Sequence, residues 1–510
     1  MEFTENYNPK NKPIMVLGTS SGAGKSLTVT AICRILKKLG EEPIPFKGQN
    51  MSNNAWVDSN GGEMAYSQAL QAFSCGINPS SEMNPILLKP QGDSTSEVIH
   101  LGKSVGISTA KDYYKDWFMP GWEVIKKSIN IIYEKNKNCR LIIEGAGSPV
   151  EMNLIHRDLT NLRVAKYLDA SCILVTDIER GGVFAQIIGT LELMKPEERK
   201  LIKGILINRF RGDLSLFKEG KKWIEDKTKI PVLGIIPWLN DKFPPEDSLD
   251  LLERKSYLSN PEIKVGIIKL PSISNFSDFD PLENENSILI EWISEAQNLN
   301  QFDFIIIPGS KQTIKDQLFL NESGLSKEIK NYSHNNGNIF GICGGLQMLG
   351  TVLEDPFFKE GSNFNSDQSI KGIGLLPLKT TFLKHKITRQ IHSESIWPNS
   401  TKIIGFEIHN GITKLDSSHL DTLKTNHIFK DFDLGWYKEN REGGTIAGTY
   451  IHGIFENDEW RDHYINLIRK TKNKLTLDKK SRSYKMKRES IINNLANEFN
   501  NHFNISLLLN

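Results

Sequence analysis

The chain has 510 residues, and its 63 lysines and arginines nearly balance 61 aspartates and glutamates, for a formal net charge of +2. Nothing global therefore points to nucleic acid or an anionic membrane surface, and the length suits roughly two to four domains with sizeable cores. No run approaches about 18 uninterrupted apolar residues, the N-terminal MEFTENYNPKNKP lacks the apolar core of a signal peptide, and Cys33, Cys75, Cys139, Cys172 and Cys343 are scattered without any C-x-x-C; the expectation is a soluble cytoplasmic enzyme in a reducing compartment, with no membrane span, disulfide framework or zinc site.

The first element, Ile14 to Leu17, reads as a buried strand. It runs into a glycine-rich turn and then TVTAICRILKKLG, whose apolar residues recur at helical spacing until Gly40. Strand, loop and helix over IMVLGTSSGAGKS make a phosphate-binding unit. Backbone N–H groups of Gly18, Thr19, Gly22 and Gly24 line the loop, Lys25 supplies a cation for the β- and γ-phosphates of ATP, and Ser26 is placed to ligate Mg²⁺. Five residues separate Gly18 from Gly24 where the usual G-x-x-x-x-G-K-[ST] pattern has four. The loop still works, because Gly22, Ala23 and Gly24 let the backbone approach the phosphates closely.

A short strand, Pro43 to Phe46, ends at Lys47 in KGQNMSNN. Gly61 to Gly76 reads as helical, and MNPILLKP and VIHLG as short extended pieces. Then follow helix GWEVIKKSINIIYEKN, strand CRLIIEGAGS, strand ASCILVTDIERGG, helix VFAQIIGTLELM, strand IKGILINRF and strand IPVLGIIP. Strands alternating with helices imply an α/β fold with a doubly wound parallel sheet. Lys47, Glu144, Asp177 and Asn208 fall at strand carboxyl ends, where such sheets bind ligands.

The apolar alternation lapses over Trp238 to Pro261, whose prolines and charges mark a linker, 241–261, between a first domain, 1–240, and a second, 262–460. The second α/β series runs through IKVGIIKLP, a helix SILIEWISEAQNL, strand FDFIIIPGS, a helix near Leu325 to Ser333, and strand NIFGICGG leading into helix LQMLGTVL. Strands are expected at IGLLPLKTTF, KIIGFEIHNG and GTIAGTYIHGIF, and residues 461–510 read as a helical extension of the second domain. The Lys/Arg-rich run from Arg469 to Arg488 reads as a solvated face.

GICGG places Cys343 at a strand-to-helix turn with glycines on both sides, which suits a nucleophile in a tight backbone conformation. The helix that follows favours negative charge on the sulfur. His452 in GTYIHGIF is the expected base, and backbone N–H groups of Gly309, Ser310 and Gly344 are candidates for stabilising an oxyanion. His409 in GFEIHNG is the weaker candidate, since a strand histidine satisfied by backbone reads as well. A phosphate loop in one half and a thiol acyl-transfer site in the other suggest that the second half releases ammonia from an amide while the first uses ATP to activate its acceptor.

The segments GTSSGAGKS, FKGQNMSNN, MNPILLKP, EGAGSPVEMNL, DIERGGVFAQIIGTL, INRFRGD, LPSISNFSDFDPL, PGSKQTI, GICGGLQMLG, GFEIHNG and GTYIHGIF together resemble the cobyric acid synthase family of cobalamin biosynthesis over essentially the whole chain. The resemblance implies a P-loop domain of the dethiobiotin synthetase type followed by a class I glutamine amidotransferase-like domain. It implies ATP- and glutamine-dependent amidation of the b, d, e and g carboxylates of adenosylcobyrinic acid a,c-diamide to give adenosylcobyric acid. By motif, Lys25 and Ser26 would hold phosphates and Mg²⁺, Glu144 would be a direct or indirect Mg²⁺ ligand, Lys47 would face the activated carboxylate, Asn208 the adenine, and Cys343 with His452 would form the glutaminase pair. Two departures stand out: residue 346 is Leu where an aromatic is expected, and position 454 is Ile where ordinary class I glutaminases carry a Glu. The second leaves His452 to be oriented by backbone or by a distant group. Rival readings are a cobyrinic acid a,c-diamide synthase or another P-loop glutamine amidotransferase and, from a different class, a P-loop switch or partitioning ATPase with a degenerate amidase-like domain; the quaternary state, including a homo-oligomer, stays open.

Overall fold

The computed structural model describes residues 11–92, 94–239, 261–360, 369–418, 424–440, 443–477 and 483–509. The stretch read as a linker, 241–261, lies outside them except for its last residue.

The N-terminal half is built on six parallel strands: β1 (Ile14–Gly18), β2 (Pro43–Phe46), then, after β3 (Ile86–Pro90) and β4 (Thr95–His100) of a separate small sheet, β5 (Arg140–Glu144), β6 (Ser171–Asp177), β7 (Ile202–Phe210) and β8 (Val232–Pro237). Their order is β8-β7-β6-β1-β5-β2, with the phosphate-loop strand inside the sheet. Alternate residues of each strand feed opposite faces, as the pleat dictates. Met15 and Leu17 join Leu141, Ile143 and Leu174 in one core, while Ile14 and Val16 join Ile142, Ile173 and Val175 in another with Val29, Ile32 and Leu36 of helix α1 (Lys25–Lys38). Helices thus cover both faces, as the continuous apolar strands predicted.

The C-terminal half carries a seven-stranded sheet. Its strands are β9 (Ile263–Ile268), β10 (Ile288–Ile293), β11 (Phe304–Ile307), β12 (Asn338–Ile342), β15 (Asn426–His427), β16 (Gly435–Glu439) and β17 (Thr445–Thr449), in the order β10-β9-β11-β12-β17-β16-β15. The β10 to β12 and β17 pairings are parallel, and the last two pairings are antiparallel. Between β12 and β15 the chain makes a long antiparallel ribbon from β13 (Leu378–Ser395) and β14 (Thr401–Leu415), which reaches across to the first half.

Two expectations change here. SILIEWISEAQNL, read as a helix, forms strand β10 over ILIEWI: its Ile side chains at 288 and 290 are buried on one face of an edge strand paired in register with β9. A short apolar run of this kind fits either period, and its β-branched residues together with a vacant sheet edge decide for the strand. The C-terminal extension also divides. Helix α2 (Asp458–Thr471) packs Trp460, Tyr464 and Ile468 into the second half, but helix α3 (Tyr484–His502) lies on the first half, against α1. Leu495, Ala496, Phe499 and Phe503 enter the core of the nucleotide-loop sheet, and Asn504 N–H donates to the Leu233 carbonyl at 2.9 Å. Gly234 is required at that crossing, because a Cβ there would sit 2.3 Å from the His502 carbonyl oxygen.

The chain therefore straps its last helix back across its first domain. Phe499 is fully buried in that strap, so Phe499→Ala should destabilise the N-terminal half by about 3–5 kcal/mol. Urea denaturation followed by a probe in that half checks it, and an unchanged midpoint would show that the strap contributes nothing.

Candidate active site

The phosphate loop begins where β1 ends. Gly22 and Gly24 adopt positive φ of 71° and 98°, conformations that cost a side chain and let the loop curl over the start of α1. Gly24 has a second constraint: a Cβ would meet the Asn208 side-chain nitrogen at 2.0 Å. Asn208, two residues before the end of β7, is buried, and its amide donates to the Ala23 carbonyl at 3.0 Å while its Oδ1 accepts from Arg209 N–H at 2.9 Å. It braces the loop, and its side chain is already engaged, where the motif suggested an adenine contact. Thr19 Oγ1 bonds the Gln186 side chain at 3.0 Å, and Gly18 lies against the Lys25 side chain.

Lys25 Nζ donates to the Ser20 carbonyl at 2.8 Å and the Gly147 carbonyl at 3.1 Å, so the lysine head spans the loop. Glu144, the last residue of β5 and fully buried, ties the site together. Its Oε1 accepts from Ser26 Oγ at 2.9 Å and from Lys47 Nζ at 2.5 Å, and its Oε2 from Gln71 Nε2 at 2.5 Å and Gln68 Nε2 at 3.4 Å. A carboxylate so fully engaged suits holding Ser26 in place more than binding a metal directly. With its hydrogen given to Glu144, the Ser26 hydroxyl keeps its lone pairs for a hard cation. Oxygen donors of this kind fit Mg²⁺, which commonly keeps waters and phosphate oxygens as its remaining ligands. No group of three His, Cys, Asp or Glu able to hold a metal occurs among the described residues.

In the second half Cys343 stands between β12 and the short helix Gly344–Leu349 with φ 50° and ψ −106°. That strained turn is enforced by crowding. A Cβ on Gly345 would lie 1.9 Å from the Ile307 carbonyl oxygen, and one on Gly341 would meet the Gly345 carbonyl at 2.7 Å. The Cys343 N–H donates to the Thr449 carbonyl at 2.7 Å, and its thiol points to the Ile408 carbonyl at 3.4 Å. The backbone candidates for oxyanion stabilisation gather here. Gly344 lies against Ser310, whose amide nitrogen would be 2.8 Å from a Cβ at 344, and Gly309 lies against the His452 ring. The Leu at 346 is fully buried among the core residues, so the departure from an aromatic is a packing change.

His452, 1% exposed, follows β17 and lines the same cavity as Cys343. Its Nδ1 meets Asp278 Oδ2 at 2.7 Å, and Asp278 Oδ1 accepts from Gly453 N–H at 2.7 Å. The distant group required by Ile454 is therefore Asp278, which lies 174 positions upstream. Sequence reasoning missed it, although its segment SNFSDFD had been singled out for resemblance. Burial by itself lowers the His452 pKa, but the charge of Asp278, its hydrogen bond and the Cys343 thiol together push it up to about 10. Asp278 thus favours the protonated form of the ring, the form that can give a proton to a leaving amine. His409 lines the cavity too, but its Nδ1 is on the Gly411 carbonyl at 2.7 Å and its Nε2 on Glu407 at 3.1 Å, with its ring stacked on Tyr450. It is a satisfied strand histidine.

The segment bearing Asp278 is also a domain contact. Asn54 Oδ1, from the first half, accepts from Ser277 Oγ at 2.9 Å, and Asn275 Oδ1 accepts from Ala55 N–H at 3.2 Å. Phe406 stacks on the His452 ring at 5.4 Å and packs in a tilted arrangement, at 5.0 Å, against Trp56 of the first half.

Comparison with known proteins agrees with both halves. Residues 14–244 match the CobQ/CobB/MinD/ParA nucleotide binding domain, and residues 264–460 match the CobB/CobQ-like glutamine amidotransferase domain. A protein from Prochlorococcus marinus subsp. pastoris named cobyric acid synthase is 82% identical over 100% of both chains. Another of that name, from a second Prochlorococcus marinus strain, is 79% identical over 100% of both chains. No described helix is long and apolar enough to cross a membrane.

Asp278→Asn keeps the shape but removes the charge, and glutamine-dependent turnover should fall by about 10²- to 10⁴-fold. Since Asp278 raises the His452 pKa, its loss lets the imidazolium deprotonate at lower pH. The basic limb of the pH–rate profile, set by a group near pH 10 in the parent, should move toward neutrality. A limb that stays in place would separate Asp278 from the chemistry of His452.

Proposed function

Because the chain belongs to the cobyric acid synthase family, uniting a nucleotide-binding domain with a glutamine amidotransferase domain, we propose that its two sites act in series on the b, d, e and g carboxylates of adenosylcobyrinic acid a,c-diamide. The observation that carries the reading is the pairing, in one chain, of a Glu144-held phosphate loop with a Cys343–His452–Asp278 constellation. The scattered cysteines, all unpaired, support a cytoplasmic setting.

In the amidotransferase site the Cys343 sulfur attacks the side-chain carbonyl of glutamine, and the oxygen turns toward the Gly344 and Ser310 backbone. His452 takes the thiol proton as the sulfur attacks and gives it to the departing nitrogen as the C–N bond breaks, leaving a thioester and free ammonia. Water then cleaves the thioester, releasing glutamate and restoring the thiol. Asp278 holds the ring in the tautomer and orientation this requires.

In the synthetase site a substrate carboxylate oxygen attacks the γ-phosphorus of ATP, ADP leaves, and an acyl phosphate forms. Ammonia displaces inorganic phosphate from it to give the amide. Lys25 and the loop N–H groups cradle the phosphates, and Lys47, held by Glu144, faces the acceptor carboxylate. Mg²⁺ bound at Ser26 would neutralise phosphate charge. Repeating the cycle over four carboxylates yields adenosylcobyric acid. Incubation with ATP, glutamine and the diamide, read by mass, should show four successive acid-to-amide changes, and a product that stops at another count, or no conversion, would overturn the assignment.

The division of labour is tested by two sets of variants. Cys343→Ala should lose glutamine-dependent amidation yet retain turnover with high ammonia. Lys25→Ala and Glu144→Ala should lose both, by about 10²-fold or more, because each removes part of the charge clamp on the phosphoryl group. Ammonia failing to rescue a folded, ATP-binding Cys343→Ala protein would contradict the two-site scheme, as would near-normal ammonia-dependent turnover without Lys25 or Glu144.

A further inference from the structure

The cavity that holds Cys343 and His452 is also lined by Lys89, Lys311, Lys386 and Glu360. The three lysines belong to a buried ionic cluster that bridges the two halves. Lys89 Nζ donates to Glu63 Oε1 at 2.5 Å, Lys386 Nζ to Glu63 Oε2 at 2.5 Å and to Glu97 Oε2 at 3.2 Å, and Lys311 Nζ to Glu97 Oε2 at 2.5 Å. Glu63, Lys89 and Glu97 come from the synthetase half, and Lys311 and Lys386 from the amidotransferase half. Burial opposes the charge on Glu97, but Lys311, Lys386 and Lys89 outweigh it and hold the carboxyl well below the usual range.

Within this cluster three ammonium groups face the two carboxylates of Glu63 and Glu97, and the cavity's further carboxyl, Glu360, feels Lys311. Buried charge persists only when paired or hydrogen-bonded. Lys89 is 2% exposed, and among the described residues its Nζ donates one hydrogen bond, to Glu63, which leaves two of its three donors. Glu360 is the complementary case. It is 6% exposed, and its Oε2 has no hydrogen-bond partner among the described residues. Burial raises its carboxyl to about 7, with Lys311 opposing the shift. One cavity thus holds a lysine with spare donors, a carboxylate with a spare acceptor, and the nucleophile.

A ligand that satisfies both ends must carry an anion and a cation a short distance from an amide, which is the chemistry of an α-amino acid amide. We propose that Lys89 and Glu360 form the head-group subsite for glutamine, Lys89 binding the α-carboxylate and Glu360 the α-ammonium while the side-chain amide lies at Cys343. The inference rests on the reading of the Cys343 cavity as the glutaminase site. It has a structural consequence: Lys89 lies on β3 of the synthetase half, so the amidotransferase pocket is complete only with both halves in contact.

The test uses the full-length protein and three amides: L-glutamine, glutaramate, which lacks the ammonium, and 4-aminobutanamide, which lacks the carboxylate. Hydrolysis is followed by ammonia release. The parent should prefer glutamine over each analogue by about 10²-fold or more in kcat/KM, since each analogue strands a buried charged partner. In Glu360→Gln the preference over glutaramate should collapse to within about tenfold while the preference over 4-aminobutanamide persists; in Lys89→Met the reverse should hold. Equal losses on all three amides would mark the residues as merely structural and overturn the proposal, as would a parent enzyme indifferent to either missing group. Ammonia release persisting in Cys343→Ala would instead show that the cavity is not the glutaminase site, a failure of the underlying reading and distinct from the others.

Discussion

The hydrogen bond between Asp278 and His452 is the contact on which the amidotransferase half depends. An imidazole sealed in a protein interior would ordinarily shed its proton, and burial acts in that direction here. A carboxylate at 2.7 Å reverses the outcome and fixes which ring nitrogen faces the sulfur. Its position is not free to relax. The second carboxylate oxygen is held by the backbone of Gly453, and the residue before it, Ser277, is bonded to Asn54 of the other half. The orientation of the His452 imidazole is thereby tied to a loop that also leads back to Lys47.

Glu144 plays the corresponding part in the synthetase half. One carboxylate without access to solvent gathers Ser26, Lys47, Gln71 and Gln68 around the mouth of the phosphate loop. Hydrogen bonds to an ionised group are short and strong, so the Ser26 hydroxyl and the Lys47 ammonium are placed before any nucleotide arrives. Between the two hubs runs a continuous contact surface: the 54–63 segment lies against the β13–β14 ribbon through Thr388, Phe406 and Lys386. A shift of the loop around Asn54 would be felt at Asp278, which bonds the imidazole, and through Trp56 at Phe406, which stacks on it.

What the sequence made legible was what is local in the chain. GTSSGAGKS and GICGG carry loop, nucleophile and glycine constraints within a few residues, and the parallel strands declare themselves by unbroken apolar runs. Asp278 was not legible, because its meaning lies in a partner 174 positions away and an aspartate in a loop has no signature of its own. The same holds for the charge cluster: Glu63, Lys89, Glu97, Lys311 and Lys386 look like ordinary surface residues until the fold buries them together. ILIEWI was misread because six apolar-rich residues satisfy both periods, and the home of the last helix could not be told from its own amphipathicity. Asn208 was placed correctly at a strand end, yet its side chain turns inward to support the loop.

The link between the halves is most directly examined by glutamate release from the full-length protein, measured with glutamine alone and with ATP plus the diamide acceptor, in the parent and in Asn54→Ala. The expected result is slow release with glutamine alone and a rise of about tenfold, a coupling of about 1.4 kcal/mol, when the synthetase site is occupied, with the rise diminished in Asn54→Ala because the Ser277 contact beside Asp278 is gone. Equal rates in both conditions would mean that the Cys343–His452–Asp278 arrangement is fully organised without its neighbour, and would contradict a coupled pair of sites.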